Sequence, residues 1–102
     1  MRIARRVGMN TYMIRRRDGW RTPAELQEAA ARSRQVGDEE MSDDIRWIRS
    51  YVVQEEHGQL GTVCIYEGSS AGKVAEHATR AGLPADEVLE VLDTVLVRPD
   101  PT

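Results

Sequence analysis

Two periodicities alternate along this chain in an order that few folds accept. Apolar residues recur at every second position, then at helical spacing, then twice more at every second position with a turn between, then at helical spacing, and finally as a β-rich run. Read as elements, the order is β-α-β-β-α-β. That is the ferredoxin-like, split β-α-β arrangement, an α+β fold in which two helices cover one face of a four-stranded antiparallel sheet.

The elements have their own local warrants. "NTYMIRR", Asn10 to Arg16, is short and β-rich, and "RDGW" after it reads as a turn. In "TPAELQEAAARSRQV", Thr22 can cap, Pro23 takes the first helical position and Glu25 falls where a capping box needs it. Leu26, Ala29, Ala30, Ser33 and Val36 then make a narrow face of small residues. The acidic "GDEEMSDD" breaks the period and reads as a solvated loop; it lacks the alternation and glycine of a calcium loop. Strands two and three follow as "IRWIRSYVVQ" and "TVCIYE", a hairpin with His57 at its exposed tip. Ser69 or Ser70 opens helix two, Gly82 closes it, and Pro84 forbids its return. The run Val88 to Val97 begins as a turn of helix or as strand, and ends as strand four. The domain spans 10–98, between a flexible basic extension, 1–9, and a frayed tail, 99–102.

Composition narrows the classes of function. Of 102 residues 40% are apolar and none is Phe, so the large anchors reduce to Trp20, Trp47, Tyr12, Tyr51 and Tyr66. A sheet with one bare face bearing Trp and Tyr is best covered by a second copy, so a homodimer through the open sheet face is expected. The single cysteine, Cys64, forms no internal disulfide and belongs to no CxxC pair, which suits a reducing cytoplasm. No apolar run has the length of a membrane span, and the first residues lack the core of a secretory signal. Residues 1–21 hold seven arginines against one acid, while the remainder is strongly acidic. Without interleaved aromatics or a recognition-helix pattern, this arm is not read as a nucleic-acid footprint. Of Arg15, Arg16 and Arg17, at the end of strand one, one or two can face an anionic ligand.

The residues that can carry chemistry cluster on helix two and the hairpin. Val74, His77, Ala78 and Ala81 share one stripe, so His77 points at the sheet. Period two sets Cys64 with Tyr66, and Val63, Ile65 and Glu67 on the other face; strand two divides into Trp47, Arg49, Tyr51 and Ile48, Ser50, Val52. Which set faces the helices is open. With the polar set inward, His77 meets Arg49, Tyr51, Cys64 and Tyr66; with the apolar set inward, it meets Ser50 and Glu67. Three roles compete: Cys64 and His77 as ligands of a divalent metal such as nickel or zinc; His77 as a general acid or base, with Tyr51 and Arg49 holding a developing oxyanion in an isomerase or cyclase; and a partly buried histidine in ordinary packing. Cys64 as a nucleophile ranks below these, because a lone strand cysteine is usually a small hydrophobe. "GSSAG" before helix two lacks the ending of a phosphate loop.

The stretches "RWIRSYV", "CIYE" and "AEHATRAGLPAD" resemble the W-x-x-S-Y, C-x-Y-E and E-H-A-x-x-x-G-x-P segments of a bacterial family of small domains of unknown function that includes a nickel-responsive, nickel-binding member from streptomycetes. The resemblance spans Tyr12 to Val97. It implies a ferredoxin-like fold, a dimer joined through its sheets, and divalent-metal binding near the cysteine and histidine, here Cys64 and His77. Trp47, Ser50, Tyr66 and Glu67 are expected as ligand-binding neighbours, and no organic cofactor is expected. Many members carry a histidine where this chain has Arg49. A guanidinium cannot ligate a metal, and the exchange suits an anionic or carbonyl-bearing small molecule.

Overall fold

The first strand sets the frame because it pairs on both sides. In the computed structural model, which describes residues 8–101, β1 (Asn10–Trp20) lies between β3 (Leu60–Gly68) and β4 (Glu87–Val91), and β3 pairs in turn with β2 (Ile45–Gln54). The sheet order is β2-β3-β1-β4 and every pairing is antiparallel. Two helices, α1 (Pro23–Gln35) and α2 (Ala71–Ala81), connect β1 to β2 and β3 to β4. The order of elements and of strands is that of the split β-α-β arrangement. Of the expected basic extension, residues 1–7 lie outside the described residues.

Alternation along β1 and β3 settles which face is inside. Tyr12, Ile14 and Arg16 are buried with Thr62, Cys64 and Tyr66, while Met13, Ile65 and Val63 face the other way. The helices bury Ala29 and Ser33 from α1, and Val74, His77, Ala78 and Ala81 from α2, against this inner face. The inner set is therefore the one with Cys64 and Tyr66. Ile14, with no exposed surface, sits at its centre, and truncation to alanine there should cost about 2–5 kcal/mol.

Four local features depart from the pattern expected of the sequence. β1 does not stop at Arg16: its pairing skips from Arg16 opposite Thr62 to Trp20 opposite Leu60, so Arg17–Gly19 form a bulge rather than a turn, with Asp18 in the left-handed region at φ 50°. The acidic segment is not all loop. Val36–Glu40 coil as a wider, π-helical turn in which the amide of Met41 donates to the carbonyl of Val36 at 3.0 Å. Val36 and Met41, five apart, both enter the core, and the acids between them face solvent.

The strand-four expectation fails at its far end. β4 stops at Val91 because Val91 pairs with Thr11 and β1 begins one residue earlier, so β1 has no length left to pair the residues beyond it. Leu92, Val95, Leu96 and Val97 leave the sheet and are 64–75% exposed. The fourth departure is in β2, where the register slips between Trp47 and Arg49 and leaves Ile48 as a bulge.

The expected caps are present. Thr22 Oγ1 accepts the Glu25 amide at 3.2 Å, and Glu25 Oε1 accepts the Arg21 amide at 2.8 Å, one residue earlier than a capping box requires. Ser70 is the cap of α2, and Gly82 ends it in the left-handed conformation at φ 68°. No helix among the described residues is long and apolar enough to cross a membrane.

Candidate functional site

The bulge at Ile48 decides which side chains can meet. Before it, Trp47 stands opposite Tyr66 on the inner face. After it, Ser50 stands opposite Cys64 and Val52 opposite Thr62, also inward, while Arg49 and Tyr51 stand opposite Ile65 and Val63 on the outer face. Strict alternation along β2 groups Trp47 with Arg49 and Tyr51; the extra residue separates them. Trp47 Nε1 instead donates to Ser50 Oγ at 2.8 Å.

Between α1 and the inner face of β1, β2 and β3 is a cleft of about 340 Å³. Trp20, Leu26, Ala30, Trp47, Val52 and Leu83 supply apolar wall, and Arg16, Ser33, Ser50, Thr62, Cys64 and Tyr66 supply the polar atoms. Most of these are mutually engaged. Ser33 Oγ and Tyr66 Oη are 2.7 Å apart, and the Cys64 thiol donates to Thr62 Oγ1 at 3.3 Å. The Tyr66 ring stacks on Trp47 with centroids 6.1 Å apart and planes within 9°. Burial pushes the Tyr66 hydroxyl above its usual range, outweighing the Ser33 hydrogen bond and the positive charge of Arg16.

His77 lies outside the cleft. Its ring tilts against Tyr66 with centroids 5.1 Å apart, and it is not part of the cleft wall. A carbonyl can only accept, so the 2.9 Å contact with Ser33 O puts the proton on Nε2. Nδ1 is then a buried acceptor with no partner. Burial lowers the His77 pKa below the ordinary imidazole value; the Ser33 carbonyl opposes this and the Arg16 charge adds to it. The imidazole is neutral and sealed.

Of the eight residues singled out from sequence, Trp47, Ser50, Cys64 and Tyr66 line the cleft. His77 packs on Tyr66 outside the cleft wall. Glu67 pairs with Arg46 at 3.7 Å on the outer face, where Arg49 and Tyr51 share the carboxylate of Asp100 at 2.9–3.0 Å. An acid–base set of His77, Arg49 and Tyr51 is thus split across the sheet.

The metal pair fares no better as a donor set. His77 offers one imidazole nitrogen and Cys64 one thiol, and among the described residues no group of three or more histidine, cysteine or acidic side chains converges anywhere. Nickel and zinc take four or more ligands, of which a protein site normally supplies at least three. The described residues of one chain do not supply them.

Sequence reasoning placed Arg16 only as one of three arginines that could face an anion, and missed Trp20, Ser33, Thr62 and Leu83 as cleft wall. For Arg16 the signal was present, since it continues the alternation Tyr12, Ile14, Arg16. The other four depend on where α1 and the turn after α2 come to rest.

Comparison with known proteins gives the same outline. No curated protein sequence matches the chain. Among solved structures, the crystal structure of SCO4226 from Streptomyces coelicolor A3(2) superposes with a TM-score of 0.69 at 24% identity, covering 83% of this chain and 99% of that one. That likeness supports the fold. The model of the family described as nickel responsive protein SCO4226-like matches residues 12–91, nearly the whole sheet and both helices, and the chain belongs to that family.

Proposed function

We propose that this member of the nickel-responsive family is a cytoplasmic homodimer that binds a small, largely apolar organic molecule in the cleft between α1 and the sheet. One observation carries the reading: an open cleft of about 340 Å³ walled by both tryptophans of the chain and by aliphatic side chains, with a few polar atoms at its floor. Sites for small molecules have this character, concave and apolar with few polar groups, and volumes of about 300–1,000 Å³. The nickel reading rests on the family description, and Cys64 with His77 do not supply it with a ligand set. The acid–base reading has a sealed histidine and no shared pocket.

The dimer draws on a separate feature. Leu89 and Tyr51 are half-exposed on the outer face, and the C-terminal segment after β4 presents Leu92, Val95, Leu96 and Val97. A second copy is the simplest cover for such a surface. The buried free thiol of Cys64 suits a reducing compartment.

The cleft is tested by titrating ¹⁵N-labelled protein with a set of small apolar fragments. Saturable shifts centred on the indole N–H signals of Trp20 and Trp47 are expected. Shifts scattered over the surface, or none, would overturn the reading.

A further inference from the structure

Three arginines follow one another in β1 where its bulge begins, and only two pair with a carboxylate among the described residues. Arg15 pairs with Glu55 at 2.7 Å and Arg17 with Glu87 at 2.6 Å. Arg16, between them, points inward and is 1% exposed. Its Nη1 donates to the carbonyl of Pro84, its Nη2 has no partner, and among the described residues no carboxylate pairs with it. A guanidinium does not shed its proton inside a protein. The fold therefore keeps a full positive charge out of water with no counter-charge among the described residues, an arrangement that normally disfavours folding strongly.

The surroundings say what kind of group completes it. Arg16 is part of the cleft wall. The other polar side chains on that wall are neutral: Ser33 pairs with Tyr66, Trp47 donates to Ser50 and Cys64 to Thr62, and Gln27 adds an amide. The fixed positive charge belongs to Arg16 alone among the residues of the wall. The remaining wall, from Trp20, Leu26, Val52 and Leu83, can receive only hydrocarbon or an aromatic ring. A single fixed cation balances a single negative charge, which favours a carboxylate over a phosphate monoester carrying nearly two.

Resting on the cleft as a ligand site, we infer that its ligand is a small apolar monocarboxylate, whose anionic group pairs with Arg16 while its apolar body lies against Trp20 and Trp47. The ligand then supplies the counter-charge that the fold withholds. Acid-for-amide discrimination results, because a neutral isostere leaves the guanidinium buried and unpaired.

The experiment compares 3-phenylpropanoate and 4-methylpentanoate with their primary amides, followed at the Trp20 and Trp47 indole signals of the wild-type protein. Each acid should bind about tenfold or more tightly than its amide. Arg16→Met should erase the preference and Arg16→Lys should retain part of it; the wild-type comparison stands even if either variant folds poorly. Equal binding of acid and amide would overturn the carboxylate inference and leave the cleft as a neutral-ligand site. Phenyl phosphate binding more tightly than 3-phenylpropanoate would also overturn it. Failure of all of them to move either indole signal would overturn both this inference and the cleft reading.

Discussion

The Nε2–H of His77 donates to the carbonyl of Ser33 at 2.9 Å, joining α2 to the last turn of α1 where the helix widens. The same Ser33 bonds Tyr66 through its hydroxyl at 2.7 Å. One serine thereby fixes both a tyrosine of the cleft wall and the imidazole packed on it. This makes His77 a structural residue whose protonation the fold resists.

The pH dependence of stability reflects that resistance. The folded-state pKa of His77 lies below the ordinary value of about 6.5, so as pH falls below that value the unfolded chain takes up a proton that the folded chain refuses. Stability contributed by the neutral imidazole is complete above about pH 6.5 and declines below it, by at most about 1.4 kcal/mol per pH unit. Urea unfolding midpoints between pH 5 and 8 should show this decline in the wild type and lose it in His77→Leu. At pH 7 that variant should lie within about 1 kcal/mol of wild type, because the lost hydrogen bond is offset by removal of the unpartnered Nδ1.

Nickel titration offers a second check. Chelator-treated protein titrated by calorimetry should give the same heats for wild type, Cys64→Ser and His77→Leu. Micromolar binding that either substitution abolishes would show that these two residues do ligate the metal, with further donors from a second chain.

Gly61 marks a close approach in the sheet that a side chain would block. A β-carbon there would come within 2.6 Å of the carbonyl oxygen of Arg16, which is backbone and cannot yield, and would also collide with the Glu55 carboxylate that holds Arg15. Gly61→Ala should destabilise the protein by about 1–3 kcal/mol in denaturant unfolding. The Arg15–Glu55 link should fail with it, visible as faster exchange of the Asp18 amide that Glu55 also accepts.

The C-terminal segment links opposite edges of the sheet. It leaves β4 at one edge, and Asp100 bonds Arg49 and Tyr51 on β2 at the other. Those bonds hold the Asp100 carboxyl below its usual pKa, the Tyr51 hydroxyl first and Arg49 second. In solution the chain should run as a dimer by light scattering, and Val95→Asp with Leu96→Asp should return a monomer. Asp100→Ala should loosen residues 93–100 in ¹⁵N relaxation.

The features legible in the sequence were those that local chemistry determines. Thr22, Pro23, the pair Ser69 and Ser70, and Gly82 marked the helix ends, Ser70 being the one that caps, and the stripe through His77 pointed inward as its spacing required. The order of periods gave the architecture. The site was less legible because it depends on one slipped residue. Alternation in "RWIRSYV" groups Arg49 with Trp47, and nothing in the local sequence announces that Ile48 drops out of register opposite β3. The wide turn at Val36–Glu40 and the early end of β4 were hidden for the same reason: each is set by a partner element, the core beneath Met41 and the start of β1, rather than by the residues themselves.

The bulge at Ile48 also has a bearing on how such a chain can change over generations. In a regular strand, positions three apart look in opposite directions, yet here Trp47 and Ser50 touch. From that point on, the even-numbered residues of β2 serve the interior and the odd-numbered ones the exterior, in a phase opposite to the one Trp47 began with. Losing the extra residue would change no facing, because Trp47, Arg49 and Ser50 would still stand opposite Tyr66, Ile65 and Cys64. Drawing Ile48 into the ladder without a deletion would instead turn the rest of the strand inside out, bringing an arginine and a tyrosine beside the tryptophan in place of a serine and a valine. A change that regularises the pairing while keeping Ile48, rather than one that removes it, is where relatives of this protein would be expected to acquire a different interior.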